Sequence, residues 1–130
     1  MIVDASVALK WFLDEPLKKN ALVVAARDDL RAPDIIVAEM LNGFRRAMRD
    51  SRIDDAFASA AIAKIDRVLP VRVPTLLVAQ SALSMASELK HHISDCIYLA
   101  LALQTDVRLV TADDAFATVV EKTRWREHIA

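Results

Sequence analysis

Two short apolar runs, each stopped by an acid, constrain this chain more than any other feature. Met1-Ile2-Val3 ends at Asp4, and Leu109-Val110 ends at Thr111-Ala112-Asp113-Asp114. Unbroken apolarity over so few residues marks a strand covered on both faces, because a strand with one wet face alternates. Val71-Arg72-Val73, set between Pro70 and Pro74, is a third candidate strand, and Arg31-Ala32 before Pro33 is a fourth. The intervening segments carry helical spacing. Ala58, Ala61, Ile62, Ile65 and Leu69 form one stripe behind Asp54, a natural N-cap; Val78, Ala82, Met85 and Leu89 form another. A third, opened by Pro16, runs through Leu22, Ala25, Ala26 and Leu30. Strands alternating with helices predict an α/β sandwich around a mostly parallel sheet.

At 130 residues the chain fits one compact domain, residues 1–130, and 55% hydrophobic with 27% charged residues is a folded composition. The only glycine, Gly43, excludes a glycine-rich phosphate loop. A net charge of -1 excludes a generally basic nucleic-acid coat, so contact with a polyanion needs a local patch or bound cations. One cysteine, Cys96, forms no internal disulfide and reads as a core filler. With no signal-peptide pattern and no apolar stretch long enough to span a membrane, the expected compartment is the cytoplasm.

The segment from about Asp34 to Arg49 places Val37, Leu41, Phe44 and Met48 on one apolar stripe facing the core. Glu39, Asn42 and Arg46 fall close to the opposite side, which reads equally as a solvated polar face. Gly43, one turn beyond Glu39, marks a close approach, either of a ligand or chain or of a packed helix. Arg45, Arg49 and Arg52 share a face with Arg46 nearby, a candidate phosphate-contacting patch or ordinary helix solubility. The helix containing Asp95-Cys96-Ile97-Tyr98-Leu99-Ala100-Leu101-Ala102-Leu103 is apolar nearly all round and therefore buried, with Ser94 as the expected N-cap and Asp95 in its first turn. A carboxylate near a buried helix end needs a cation or several hydrogen bonds. His91 and His92 read as loop residues rather than ligands.

In an open parallel sheet, ligands bind outside the carboxyl ends of the strands where strand order reverses. Asp4 and Asp113 both follow strands and belong at that end, and Asp95 joins them if its helix starts there. Carboxylates gathered in one place repel and raise one another's pKa, and a divalent cation removes the conflict. An all-oxygen set suits Mg²⁺ or Mn²⁺ rather than zinc.

Four segments now resemble, in order and spacing, the PIN-domain nucleases, and more narrowly the VapC-type toxins of bacterial and archaeal toxin–antitoxin pairs. They are Met1-Ile2-Val3-Asp4-Ala5-Ser6, Ala38-Glu39-Met40-Leu41-Asn42, Ser94-Asp95-Cys96-Ile97-Tyr98-Leu99-Ala100-Leu101-Ala102 and Leu109-Val110-Thr111-Ala112-Asp113, spread over essentially the whole chain. The resemblance implies a three-layer α/β/α sandwich, a homodimer, hydrolysis of RNA phosphodiester bonds and an antitoxin protein that blocks the cleft. It also implies Mg²⁺ or Mn²⁺ held by Asp4, Glu39, Asp95 and Asp113, which carry over as catalytic metal ligands. Ser6 and Thr111 fall where the family has small hydroxyl residues supporting the site, and Asn42 is grouped with them; Arg45, Arg46 and Arg49 are the candidate substrate contacts. The Thr-x-Asp spacing selects Asp113 as the fourth acid and leaves Asp114 as the expected N-cap of a helix starting at Ala115-Phe116.

Two other acid-bearing α/β designs fit less well. A phosphotransfer receiver wants an acid after its central strand and a lysine after its last, yet Val71-Arg72-Val73 ends in Pro74-Thr75 and no lysine follows Val110 closely. An aspartate-nucleophile phosphatase wants a second aspartate where Ser6 stands. The remaining alternative is a PIN-like module that binds RNA or a partner without turnover.

Overall fold

The computed structural model describes residues 1–130. Its four strands are two residues each: β1 (Ile2–Val3), β2 (Ala32–Pro33), β3 (Arg72–Val73) and β4 (Leu109–Val110). All four expected strands form, and all pairings are parallel, with Ile2 opposite Leu109 and Ala32 opposite Arg72. A parallel bridge from Ile2 to Arg31 joins the two pairs, giving the spatial order β3-β2-β1-β4, and Ile129 adds a last bridge beside Leu109. The chain therefore steps outward from β1 to β3 and then returns to the far side of β1. Strand order reverses between β1 and β4, which opens a crevice beyond their carboxyl ends.

Seven helices fill the crossovers that parallel strands require: α1 (Ala5–Leu9), α2 (Lys18–Ala25), α3 (Ile35–Arg49), α4 (Asp55–Val68), α5 (Ala79–Leu89), α6 (Ile93–Thr105) and α7 (Asp114–Glu121). Together they make a three-layer α/β/α sandwich. The apolar helix α6 lies against β1, β2 and β4 with α5 packed on it, and every residue from Cys96 to Ala102 is buried, as its composition requires. Trp11 and Leu13 are also core residues, and the Trp11 indole donates to the Ala21 carbonyl at 2.8 Å. None of the helices is long and apolar enough to cross a membrane.

Three local readings need correction. On α3 the buried residues are Ile36, Met40, Gly43, Phe44 and Ala47; Leu41 is exposed, and Val37 and Met48 are only half-buried. The expected stripe passed over Ile36 and Met40 as well as the small Gly43 and Ala47. Gly43 lies under the Leu9 side chain of α1, and a Cβ there would overlap both Leu9 methyls, so helix packing explains the glycine. The core face is turned by about a quarter turn from the expected stripe, which moves Glu39 from opposite the core to its flank. On α2 the helix starts at Lys18 after Leu17 in a left-handed conformation (φ 65°), burying Ala21 and leaving Leu22 exposed. On α6 the extended cap residue is His92, so Ser94 lies inside the first turn. The Asp54 cap of α4 is as expected, accepting from Phe57 N at 2.8 Å, although Ile62 of that stripe is exposed.

Candidate metal centre at the strand ends

Asp4 directly follows β1 and caps α1: its Oδ1 accepts from the Val7 amide at 3.1 Å and from the Ser6 hydroxyl at 2.5 Å. Ser6 Oγ in turn accepts from the Ala112 amide at 2.9 Å, tying the end of β1 to the turn after β4. Asp4 is the one buried acidic or basic residue of the chain, 6% exposed. Burial pushes its carboxyl up from 3.8 to about 6. The Ser6 and Thr111 hydroxyls and the Val7 amide pull the other way, and the Asp95 charge adds to the rise.

After β4 the same device recurs with a different spacing. Thr111 Oγ1 accepts from the Asp113 amide at 3.0 Å, and Asp113 Oδ1 accepts from the Phe116 amide at 3.0 Å. Asp113, not Asp114, is thus the N-cap of α7, because the capping oxygen must reach the third helical amide and α7 begins at Asp114. Asp114 is exposed in the first turn. Capping uses one oxygen of Asp113 and leaves the second for the crevice.

Glu39 reaches the crevice from the flank of α3 and accepts a hydrogen bond from the Tyr98 hydroxyl of α6 at 2.5 Å. Its pKa is raised, by burial first and by the Asp95 charge, against the lowering effect of the Tyr98 bond. Tyr98 is itself raised far above its ordinary value, by burial and then by Glu39, so it stays protonated as a donor. Asp95, one turn before Tyr98 on the same face of α6, acts on both Asp4 and Glu39 as a like charge.

These residues line one cleft of about 230 Å³ with Ser6, Asn42 and Arg46. All four expected acids meet there, together with three of the expected supporting or substrate residues. Thr111 lies behind Asp4 rather than on the cleft wall, while Arg45 and Arg49 lie on the exposed side of α3, Arg49 beside Asp50 at 3.5 Å. Arg52 is pinned to the α1–α2 connection through the Asp14 carbonyl at 3.0 Å and Glu15 at 3.6 Å. Cys96 is fully buried with its thiol pushed up to about 11 by burial and Asp95, which removes it as a nucleophile.

Two residues of the centre carried no readable role in the sequence. Tyr98 bonds a partner 59 positions away. His91, assigned to the loop, does lie between α5 and α6, yet its Nε2 stands 2.7 Å from Asp95 Oδ2. Ligand atoms of His91, Asp95 and Asp113 fall within 4.8 Å of one another, close enough to hold one ion. Burial raises the carboxyls of Asp4 and Glu39, and the Asp95 charge adds to both, so the acids of the cleft are poorly solvated and face one another without a cationic partner among the causes of their shifts. Carboxylate oxygens with one imidazole suit a hard or borderline divalent cation.

The PIN domain family matches residues 1–122, a stretch that contains all four acids. Ribonuclease VapC1 of Mycobacterium tuberculosis is similar in two strains, CDC 1551 / Oshkosh and ATCC 25618 / H37Rv. Each is 28% identical over 123 residues, covering 89% of this chain and 87% of the relative. With the parallel strand order, the four acids at the switch point and a family match over nearly its whole length, the chain belongs to the PIN-domain family.

Proposed function

We propose that this protein is an Mg²⁺- or Mn²⁺-dependent endoribonuclease that acts as the toxin of a cytoplasmic toxin–antitoxin pair. The observation that carries this reading is the convergence of Asp4, Glu39, Asp95 and Asp113 in one cleft with Arg46 on its wall. The similarity to Ribonuclease VapC1 supports RNA as the substrate.

A divalent cation bound there would lower the pKa of a water and offset charge growing on phosphodiester oxygens. The protein's own share is positional. Ser6 and Val7 hold Asp4, the Phe116 amide holds Asp113, and the Tyr98 hydroxyl fixes one oxygen of Glu39. Arg46 offers a guanidinium to a phosphate of the incoming strand, and the exposed Arg45 and Arg49 extend that positive edge along α3. Hydrolysis then proceeds by in-line attack of water on phosphorus with departure of the 3′ oxygen. An antitoxin protein would silence the enzyme by covering this cleft. A homodimer is supported by the large apolar side chains left exposed at Leu76, Leu77 and Leu83.

The test is RNA cleavage with Mg²⁺ or Mn²⁺ by the wild type and by Asp4→Asn and Asp95→Asn, with circular dichroism to check folding. Cleavage should fall to background in both folded variants. Wild-type rates in both would end the assignment.

A further inference from the structure

His91 stands where a ligand would. Its ring stacks on Phe116 with centroids 4.8 Å apart and planes 28° apart, and the His92 ring stands edge-on to it at 5.5 Å. Phe116 is itself 1% exposed, and its amide holds Asp113. One core residue therefore positions two of the three groups, Asp113 through its backbone and His91 through its ring. The third, Asp95, meets His91 Nε2 at 2.7 Å. Ligand atoms bound cis to one ion at about 2.1 Å each stand about 3 Å apart. The His91–Asp95 spacing is close to that value, and the Asp113 oxygen lies within 4.8 Å of both. Both side chains keep some exposure, 17% for His91 and 24% for Asp95, which leaves room for water on the open side.

We infer that His91 is a nitrogen ligand of the bound cation, together with Asp95 and Asp113, and that it biases the centre toward Mn²⁺ and against Mg²⁺. This rests on reading the cleft as a metal centre. Mg²⁺ demands a near-octahedral oxygen shell and gains little from imidazole, whereas first-row transition ions accept it readily. A centre of carboxylates alone would show that bias less strongly.

Pulsed electron paramagnetic resonance of the full chain loaded with Mn²⁺ reads the ligand directly. The wild type should show coupling to an imidazole nitrogen, and His91→Gln and His91→Ala should lose it. Titration calorimetry should show Mn²⁺ affinity falling about tenfold or more in both variants, with Mg²⁺ affinity nearly unchanged. Bound Mn²⁺ without nitrogen coupling in the wild type overturns the inference while leaving the metal centre intact, and this arm needs no variant to fold. Nitrogen coupling that persists in His91→Gln, or an unchanged ratio of Mn²⁺ to Mg²⁺ affinity, also overturns it. Affinity restored by Gln but lost in Ala assigns His91 to positioning Asp95 instead. Absence of any Mn²⁺ binding by the wild type removes both this inference and the metal centre beneath it.

Discussion

Asp4 and Asp113 follow adjacent parallel strands and cap the next helix in the same way, each accepting from the third helical amide, yet their surroundings differ. Asp4 follows β1 immediately and is sealed at 6% exposure, with its carboxyl pushed to about 6. Asp113 is set off from β4 by Thr111-Ala112 and stays half-buried. The same local chemistry thus yields a sealed carboxyl in one place and an accessible one in the other. Two extra residues of chain make the difference.

That contrast can be broken first at Asp4 itself. Asp4→Asn keeps the cap but removes the buried charge, so besides abolishing cleavage it should stabilise the metal-free protein at pH 8. Asp113→Asn should leave stability within about 0.5 kcal/mol, because Asn caps as well as Asp. The size of the Asp4 effect follows from a folded pKa near 6 against 3.8 unfolded, on the order of 3 kcal/mol. Between those values the folded state binds more protons than the unfolded one. Wild-type stability should therefore fall as pH rises from about 4 to 6 and level off above. Urea denaturation across that range, without metal, should show the slope in wild type and lose it in Asp4→Asn. An unchanged slope would mean that Asp4 is not the acid whose pKa is raised.

A smaller effect is expected at the link between the two turns. Ser6 Oγ donates to Asp4 and accepts from the Ala112 amide. Ser6→Ala should cost about 1–2 kcal/mol and should raise the Asp4 pKa further, readable by carboxyl titration in NMR. A neutral result on both measures would show that the turns are held independently.

The smallest effect serves as the outside reference. Asp54 caps α4 with the same geometry but does not line the cleft. Asp54→Ala should cost about 1 kcal/mol by thermal denaturation and leave the cleavage rate unchanged. Lost cleavage in a folded Asp54→Ala protein would mean that capping alone, rather than position at the strand ends, governs activity.

Most of the centre was legible because its acids sit next to strong local signals. Asp4 and Asp113 punctuate apolar runs, and Asp95 opens a helix too apolar to be anything but buried. Glu39 was less so: α3 carries two apolar stripes, and the wheel drawn through Val37, Leu41, Phe44 and Met48 put it opposite the core, whereas the buried face runs through Ile36, Met40, Gly43 and Ala47. The cap after β4 was misplaced because Asp113 and Asp114 have identical capping chemistry, and only helix register separates them. His91 and Tyr98 depend on contacts made by folding. A histidine four residues before an acid and a lone tyrosine on an apolar helix carry no mark of where the ring or hydroxyl will point.

Gly43 has a reach beyond the packing of two helices. α1 departs from Asp4, and α3 carries Glu39 one turn from the glycine, so Leu9 packed over Gly43 joins the two helices from which those carboxylates enter the cleft. The spacing between two acids of the cleft is thereby tied to the backbone at a residue that lines no part of it. Because even a single added Cβ would overlap the Leu9 methyls, Gly43→Ala should press α1 away from α3 and shift Asp4 against Glu39.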